Sequence, residues 1–294
     1  MACLCFTSRK SLCFSMYLTA FCYVSSSAAA QNHVHETPAT ALEHAKADVA
    51  EDSDATAWRL SLISPQALKV NVPATVRFTL LDEAGRAVGI EALKIVHTKK
   101  MHGLLLDATL QQFHHVHPEP THTKGTYQFS FTPRATAYRF YANLTDTKQG
   151  IDRYIPLDIG VQTKTTPPVI HTKNKVMAQG YHFTWNADPL RAGGATMVAI
   201  EVRDDMDKPV KTLQPVLGAF AHMIGFSADR NTVVHVHPLG EEPASVDALS
   251  GSVLRFHVVT EQAGDMIFYL QVRINGKDIF VPFGQKVAAA LASN

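Results

Sequence analysis

One stretch of this chain occurs twice, and this repeat restricts the available folds more than any other feature of the sequence. Residues 104–118 align with residues 224–238, and His102 falls on His222 at the same offset of 120 residues. Further along, Gly150 and Pro156 match Gly276 and Pro282 at an offset of 126, which places a six-residue insertion in a polar loop of the second copy. The sequence therefore predicts two copies of one domain.

Both copies consist of short segments in which apolar and polar residues alternate. Residues 127–131 and 254–258 show this period of two, which is typical of strands with one buried face. Asn275-Gly276 separates two such segments and is a strong hairpin signal, because both residues tolerate positive φ. These patterns predict an all-β protein made of two tandem antiparallel β-sandwich domains.

The boundary between the two domains is set by composition. Thr165-Thr166-Pro167-Pro168 favours an extended, stiff connection rather than a strand. We therefore place the first sandwich at residues 57–163, a linker at 164–172, the second sandwich at 173–288 and a short tail at 289–294.

Residues 1–30 have the three-part layout of a secretory signal peptide. Arg9 and Lys10 precede an apolar stretch, and small residues ending in alanines lead to a predicted cleavage before Gln31. The apolar stretch, residues 11–24, is shorter than the roughly 20 residues that a membrane-spanning helix needs. We expect a periplasmic or secreted protein that does not span a membrane after the signal is cleaved.

All four cysteines of the chain lie within this signal, at positions 3, 5, 13 and 22. The mature chain therefore has no thiol. This excludes disulfide scaffolds, zinc ribbons, iron–sulfur clusters and cysteine nucleophiles from the folded part.

The charge of the mature chain is balanced. Removing residues 1–30 leaves 25 basic and 26 acidic side chains, which argues against a nucleic-acid partner bound through bulk positive charge. Residues 31–56 carry a local net charge of −5 and no aromatic residue, and this composition predicts a flexible acidic leader.

The repeated histidines carry the functional argument. In a strand, residues two positions apart project from the same face, so the two histidines of each His-x-His-Pro motif point together. The third histidine of each copy lies 13 residues earlier, on an expected neighbouring strand. Imidazoles converging from two strands suit copper(II), zinc or another divalent transition metal. The predicted metal ligands are His102, His115, His117, His222, His235 and His237.

Another interpretation of these histidines stays open. Both copies can retain a hydrogen-bonded histidine cluster that fixes the loop before Pro118 or Pro238, each of which is expected to end its strand. Met101 and Met223 neighbour histidines but are expected to face the other way and to pack in the cores. Three further histidines of the first copy have no counterpart in the second: His97, His114 and His122.

The motifs Met101–Leu106 with Phe113–Glu119, and 221–224 with 234–238, resemble a group of secreted bacterial proteins, the YtkA-like domains. The similarity covers about 60 residues of each copy. The resemblance implies an immunoglobulin- or cupredoxin-like sandwich and a role in periplasmic copper handling. The second copy departs from the pattern, since Gly125-Thr126-Tyr127 becomes Gly251-Ser252-Val253.

The sequence thus favours an exported, non-catalytic metal-binding protein that binds or delivers copper, with a periplasmic or membrane metal-handling protein as partner. Two alternatives stay open. His235, His237 and Glu241 have the His-x-His-x-x-x-Glu spacing of a cupin-type metalloenzyme, although Glu119 breaks that spacing in the first copy. The other alternative is an interaction module whose histidines are structural.

Overall fold

A computed structural model describes residues 58–63, 67–162 and 166–291, all of which belong to one compact unit. The predicted signal peptide (1–30), the acidic leader (31–56) and the last three residues of the tail lie outside the described residues. Within that part of the chain, no helix reaches the length and hydropathy needed to cross a membrane.

The first repeat is a sandwich of two four-stranded antiparallel sheets. Its strands are β1 (Arg59–Leu62), β2 (Ala74–Leu81), β3 (His102–Asp107), β4 (Phe113–Val116), β5 (Glu119–Pro120), β6 (Thr126–Phe131), β7 (Ala137–Thr145) and β8 (Asp152–Gly160). One sheet has the order β1-β2-β6-β5 and the other β4-β3-β7-β8. A single 3-10 turn, Ile90–Ala92, interrupts the strands.

The second repeat contains nine strands in one hydrogen-bonded sheet that folds around its own core. They are β9 (Lys175–Ala178), β10 (Tyr181–Asn186), β11 (Gly194–Arg203), β12 (Leu213–Gln214), β13 (Ala221–Ser227), β14 (Val233–Leu239), β15 (Val253–Thr260), β16 (Gly264–Ile274) and β17 (Lys277–Val287). The order is β12-β16-β13-β14-β15-β11-β10-β9, with β17 also paired to β16.

The predicted fold class, all-β with two tandem antiparallel sandwiches, is confirmed. The alternating residues of β6 and β15 bury their apolar side chains, with Phe256 and Val258 fully enclosed. Asn275 and Gly276 have positive φ values of 50° and 73° in the hairpin between β16 and β17, as the turn signal predicted.

The expected end of the strand at proline holds in the first copy only. There, β4 stops at Val116 and β5 begins after Pro118, on the opposite sheet. In the second copy the expectation was wrong, because β14 continues through Pro238, which is paired with Phe256 on β15. Strand β14 thereby joins the two layers of the second sandwich, which explains its single sheet.

The two repeats pack against each other through the outer faces of β3, β7, β13 and β16. On β3, Leu105 points into the core of its own repeat, whereas Leu104 and Leu106 pack on the second repeat together with Phe226 of β13. A strand covered on both faces needs apolar residues at every position. The run of three leucines on β3 follows from this double burial.

Two tyrosines make reciprocal hydrogen bonds across this junction. The Tyr141 hydroxyl on β7 donates to the Arg230 carbonyl, and the Tyr269 hydroxyl on β16 donates to the Leu110 carbonyl at 2.6 Å. Leu110 and Arg230 stand 120 residues apart, at the same place in the two copies. The junction is therefore pseudo-symmetric, since each repeat uses the same surface to contact the other.

Candidate metal centre

Three histidines of the first repeat meet at its face toward the second repeat. His102 begins β3, His115 lies on β4 opposite Leu104, and His117 follows the last residue of β4. Because side chains alternate along both strands, the three histidines lie on the same face as Leu104, which is directed away from the core of the first repeat. The expected convergence of a His-x-His pair with a histidine on a neighbouring strand is thus present in the first copy.

The three rings point toward one shared space. Each offers one ring nitrogen, and the three nitrogens lie within 4.8 Å of one another. The ring centroids of His115 and His117 are 4.9 Å apart. The ring centroid of His102 lies 5.3 Å from that of His115 and 5.1 Å from that of His117. His102 is buried, whereas His115 and His117 are half-buried.

The hydrogen bond of His102 to the backbone fixes its tautomer. Its Nε2 lies 3.0 Å from the Val96 carbonyl oxygen. A carbonyl oxygen only accepts, so Nε2 carries the proton and donates. In a neutral ring, the Nδ1 of His102 therefore carries a lone pair.

The tautomer of His115 is fixed from the second repeat. The Gln271 side chain donates its N–H to Asp278 at 3.2 Å, so its Oε1 faces the Nδ1 of His115, at 2.8 Å. Asp278 is itself paired with Arg273 at 2.6 Å. Because Gln271 presents an acceptor, the Nδ1 of His115 donates, and its Nε2 carries the lone pair.

Two lone pairs therefore face each other at short range. The Nδ1 of His102 and the Nε2 of His115 are 3.1 Å apart. Burial lowers the pKa of His115 to about 4 and also lowers the pKa of His102, so both rings are neutral at pH 7, with one N–H each. Two imidazole nitrogens bound to one zinc or copper ion lie roughly 2.8–3.4 Å apart. The arrangement fits a cation between the two nitrogens.

His117 completes the group with a nitrogen that lacks a protein partner. Its Nε2 is fully enclosed and has no hydrogen-bond partner among the described residues. Burial, reinforced by the charges of His115 and His102, lowers the pKa of His117 to about 3. A buried polar nitrogen without a partner is costly, and a bound ion would satisfy it.

The histidines of the second repeat are placed differently. The His222 Nε2 donates to the Val216 carbonyl at 2.8 Å, which repeats the bond of His102 to Val96. The ring of His222 lies edge-on to that of His97, at a centroid distance of 5.0 Å. His237 is half-buried on β14. The backbone of His235 pairs with Ile224, while its side chain lies outside what the structure describes.

Sequence reasoning missed two residues of this site. His97 has no histidine counterpart in the second copy, yet its ring lies 6.3 Å from that of His102 and 5.0 Å from that of His222. Gln271 gave no signal at all, because its contact with His115 spans 156 residues and depends on how the repeats pack.

Other candidate residues lie elsewhere. Met101 and Met223 pack in the cores of their own repeats, as expected. Glu119 is exposed and pairs with Lys99 at 3.8 Å, and Glu241 is exposed in the loop after β14. His114 packs edge-on against Phe131 and Tyr138, and His122 is exposed.

The repeat is also recognised at the level of families. Residues 48–162 and 174–289 each match the family described as "Domain of unknown function (DUF8832)". The chain belongs to this family. The two matched ranges include the tyrosines that bond across the junction, Tyr141 in the first and Tyr269 in the second.

Several solved structures are similar to this chain at low sequence identity. FdeC, an Escherichia coli adhesin, is 14% identical over 81% of this chain and 66% of its own, with a TM-score of 0.24. Domains 4 and 5 of the S-layer protein SbsC are 11% identical over 83% and 100%, with a TM-score of 0.23. The fibronectin(III)-like modules of Clostridium thermocellum CbhA are 10% identical over 80% and 97%, with a TM-score of 0.22.

Likenesses at these TM-scores have no bearing on what the chain does. This chain spans just under two thirds of the FdeC chain. Among curated proteins, none matches this sequence.

Proposed function

We propose that this protein is an exported, non-catalytic metal-binding protein that holds copper, or alternatively zinc, through His102, His115 and His117. The observation that carries the proposal is the pair of facing lone pairs on His102 and His115, 3.1 Å apart and fixed by separate hydrogen bonds to Val96 and Gln271. Hydrogen bonds of this kind orient metal-binding histidines and raise their basicity.

Copper is favoured by the chemistry of the ligands. The cluster consists of imidazoles alone, and neutral imidazole suits copper and zinc better than magnesium or calcium. At a given nitrogen site, copper(II) binds more tightly than zinc. The resemblance of the histidine motifs to YtkA-like domains, which are linked with periplasmic copper handling, supports the same choice.

The space beside the histidines is large enough for a metal ion. The cavity lined by His97, His102, His115 and His222 has a volume of about 50 Å³, which accommodates an ion with a water molecule. On its other side, His115 borders a separate cavity of about 640 Å³. The cupin-type alternative has less support, because Glu241 is exposed in the loop after β14.

The predicted signal peptide supports a periplasmic or secreted location, where such a protein would bind or deliver metal. A periplasmic or membrane protein that handles the same metal is the partner we propose. The balanced charge of the mature chain offers no electrostatic basis for binding nucleic acid.

The test is metal binding by the mature chain, starting at Gln31. Three leader histidines would bind copper loosely, so the parent and every variant carry alanine at these positions: His33, His35 and His44. After treatment with a chelator, bound copper(II) and zinc are measured by mass spectrometry and titration calorimetry.

We expect the parent to retain metal and the double variant His115→Ala/His117→Ala to lose the tight site. His122→Ala is the matched control, because His122 is exposed and outside the cluster. A folded double variant that binds both metals as the parent does would overturn the proposal, as would a parent that binds neither.

A further inference from the structure

His97 sits on a tight turn that carries it to the second repeat. Val96 and Lys99 form a bridge around His97 and Thr98, whose φ values of 45° and 70° lie in the left-handed region. Glycine and asparagine usually occupy such positions, and a β-branched threonine is strained there. Strain of this kind is retained where the surrounding structure or a function requires it.

The second repeat forms the same turn without a histidine. Val216 and Ala219 form the corresponding bridge, around Leu217 at φ 51° and Gly218 at φ 83°. The two turns face each other, since a methyl group added to Gly218 would lie 3.7 Å from Thr98 Cγ2. The first repeat therefore places an imidazole at the junction, where the second repeat has leucine.

The environment of His97 consists of other imidazoles. Its ring lies edge-on to His222 at 5.0 Å and edge-on to His102 at 6.3 Å. Burial lowers its pKa to about 4, and the charges of His102 and His237 act in the same direction. The carboxylates of Asp152 and Glu242 raise the pKa of His97, but more weakly. His97 is thus neutral and able to bind a metal ion at pH 7.

His222 offers a free nitrogen to the same place. Because its Nε2 donates to the Val216 carbonyl, its Nδ1 carries the lone pair in the neutral ring. Burial lowers the pKa of His222 to about 3, with the charge of His97 as the second cause. This nitrogen corresponds, 120 residues later, to the Nδ1 of His102 in the three-histidine site.

We propose that His97 and His222 form a second metal position, so that two ions bind next to each other at the junction of the repeats. This inference rests on the proposed function and extends it from one ion to two. The second position draws its ligands from both repeats, and the ion it binds would connect them. Like charges repel, so the second ion binds more weakly than the first.

The experiment titrates copper(II) sulfate into the mature chain that lacks the leader histidines. We expect two binding steps and two copper ions per chain at saturation. Two copper(II) ions this close should also broaden the electron paramagnetic resonance spectrum by dipolar coupling.

His97→Leu is the decisive variant, because leucine already occupies the equivalent turn position in the second repeat and the fold tolerates it there. We expect this variant to bind one ion and to give an unbroadened spectrum. His222→Gln, which retains an N–H donor for the Val216 carbonyl, should behave in the same way. The variant His115→Ala/His117→Ala should keep only the weaker step.

The outcomes separate the two proposals. A parent that binds a single ion, lost only in His115→Ala/His117→Ala, overturns the second position and leaves the proposed function in place. A His97→Leu variant that still binds two coupled ions also overturns it. A parent that binds no ion overturns both.

Discussion

Gln271 of the second repeat determines which nitrogen of His115, in the first repeat, carries the proton. Its Oε1 accepts from the His115 Nδ1 at 2.8 Å, and Asp278 prevents the amide from turning over by accepting from its N–H. The Nε2 of His115 is thereby directed at His102 with its lone pair. The three-histidine site thus depends on both repeats, although all three histidines belong to the first.

Replacing Gln271 tests this dependence. We expect Gln271→Leu to weaken copper binding about 10–100-fold, because loss of an outer hydrogen bond to a ligating histidine typically has this effect. Gln271→Glu keeps the acceptor and should retain most of the affinity. Calorimetric titration measures both, and equal affinity for Gln271→Leu and the parent would contradict the role of Gln271.

Bound metal should stabilise the folded chain. An ion that binds only the folded state, at a free concentration of 100 times its Kd, adds about 2.7 kcal/mol to the free energy of unfolding. Thermal unfolding with and without copper should therefore show a Tm that rises with copper concentration. The variant His115→Ala/His117→Ala should lose most of this rise, and a full rise in that variant would place the stabilising ion elsewhere.

The metal-free protein should lose stability as the pH falls. The pKa values of His97 and His115 are lowered to about 4, and those of His117 and His222 to about 3, mainly by burial. In the unfolded chain, histidine titrates near 6.5. Below that pH the unfolded state takes up more protons than the folded state, so the free energy of unfolding falls.

The decline begins near pH 6.5 and continues to about pH 4 for His97 and His115 and to about pH 3 for His117 and His222, with each proton contributing about 1.4 kcal/mol per pH unit. Above pH 7 these groups add no pH dependence. Urea unfolding of chelator-treated protein between pH 4 and 8 measures the slope. His97→Leu removes one titrating group and should give a shallower slope, and an unchanged slope would contradict the assignment.

The strained turn predicts a stabilising substitution. Thr98→Gly introduces the residue that the second repeat has at the equivalent position, Gly218. It removes a β-branched side chain from a position where φ is 70°. We expect a gain of about 1 kcal/mol in the free energy of unfolding, after allowing for the extra flexibility of glycine. The reciprocal Gly218→Thr should destabilise by about 1–3 kcal/mol. Effects of the same sign in both variants, measured by urea unfolding, would contradict this account.

The reciprocal tyrosine bonds should contribute equally. Tyr141→Phe and Tyr269→Phe each remove one hydrogen bond across the junction, at a cost of about 1 kcal/mol in the free energy of unfolding. Tyr181→Phe is the control, because its hydroxyl makes only an exposed bond with Asn275. A larger loss in Tyr181→Phe than in the two junction variants would argue against the importance of these bonds.

Local patterns predicted the alternating strands β6 and β15 and the convergence of three histidines in the first copy. A strand has a period of two, so His115 and His117 had to share a face, and the hairpin of β3 with β4 brought His102 beside them. The turn at Asn275-Gly276 followed from the φ preferences of two adjacent residues. Each of these inferences needed only residues that are close in the sequence.

The contributions of His97 and Gln271 depend on packing between the repeats. His97 contacts His222 only because two turns meet across the junction, and no local pattern records that meeting. The burial of Leu104 and Leu106 also depends on this packing, because they lie on the face of β3 that the second repeat covers. The continuation of β14 past Pro238 was likewise set by its neighbour β15.

The reciprocal bonds of Tyr141 and Tyr269 have a consequence for how such a chain arises. In a two-fold homodimer, each subunit contacts its partner through the same surface, and the two repeats of this chain do the same. A gene for a single repeat would encode a subunit able to pair with its own copy, and fusion of two copies would preserve that pairing within one polypeptide. Fusion also allows the sequences of the two halves to diverge. In a dimer of identical subunits, a substitution would appear in both, so a histidine at position 97 with a leucine at position 217 is possible only after fusion.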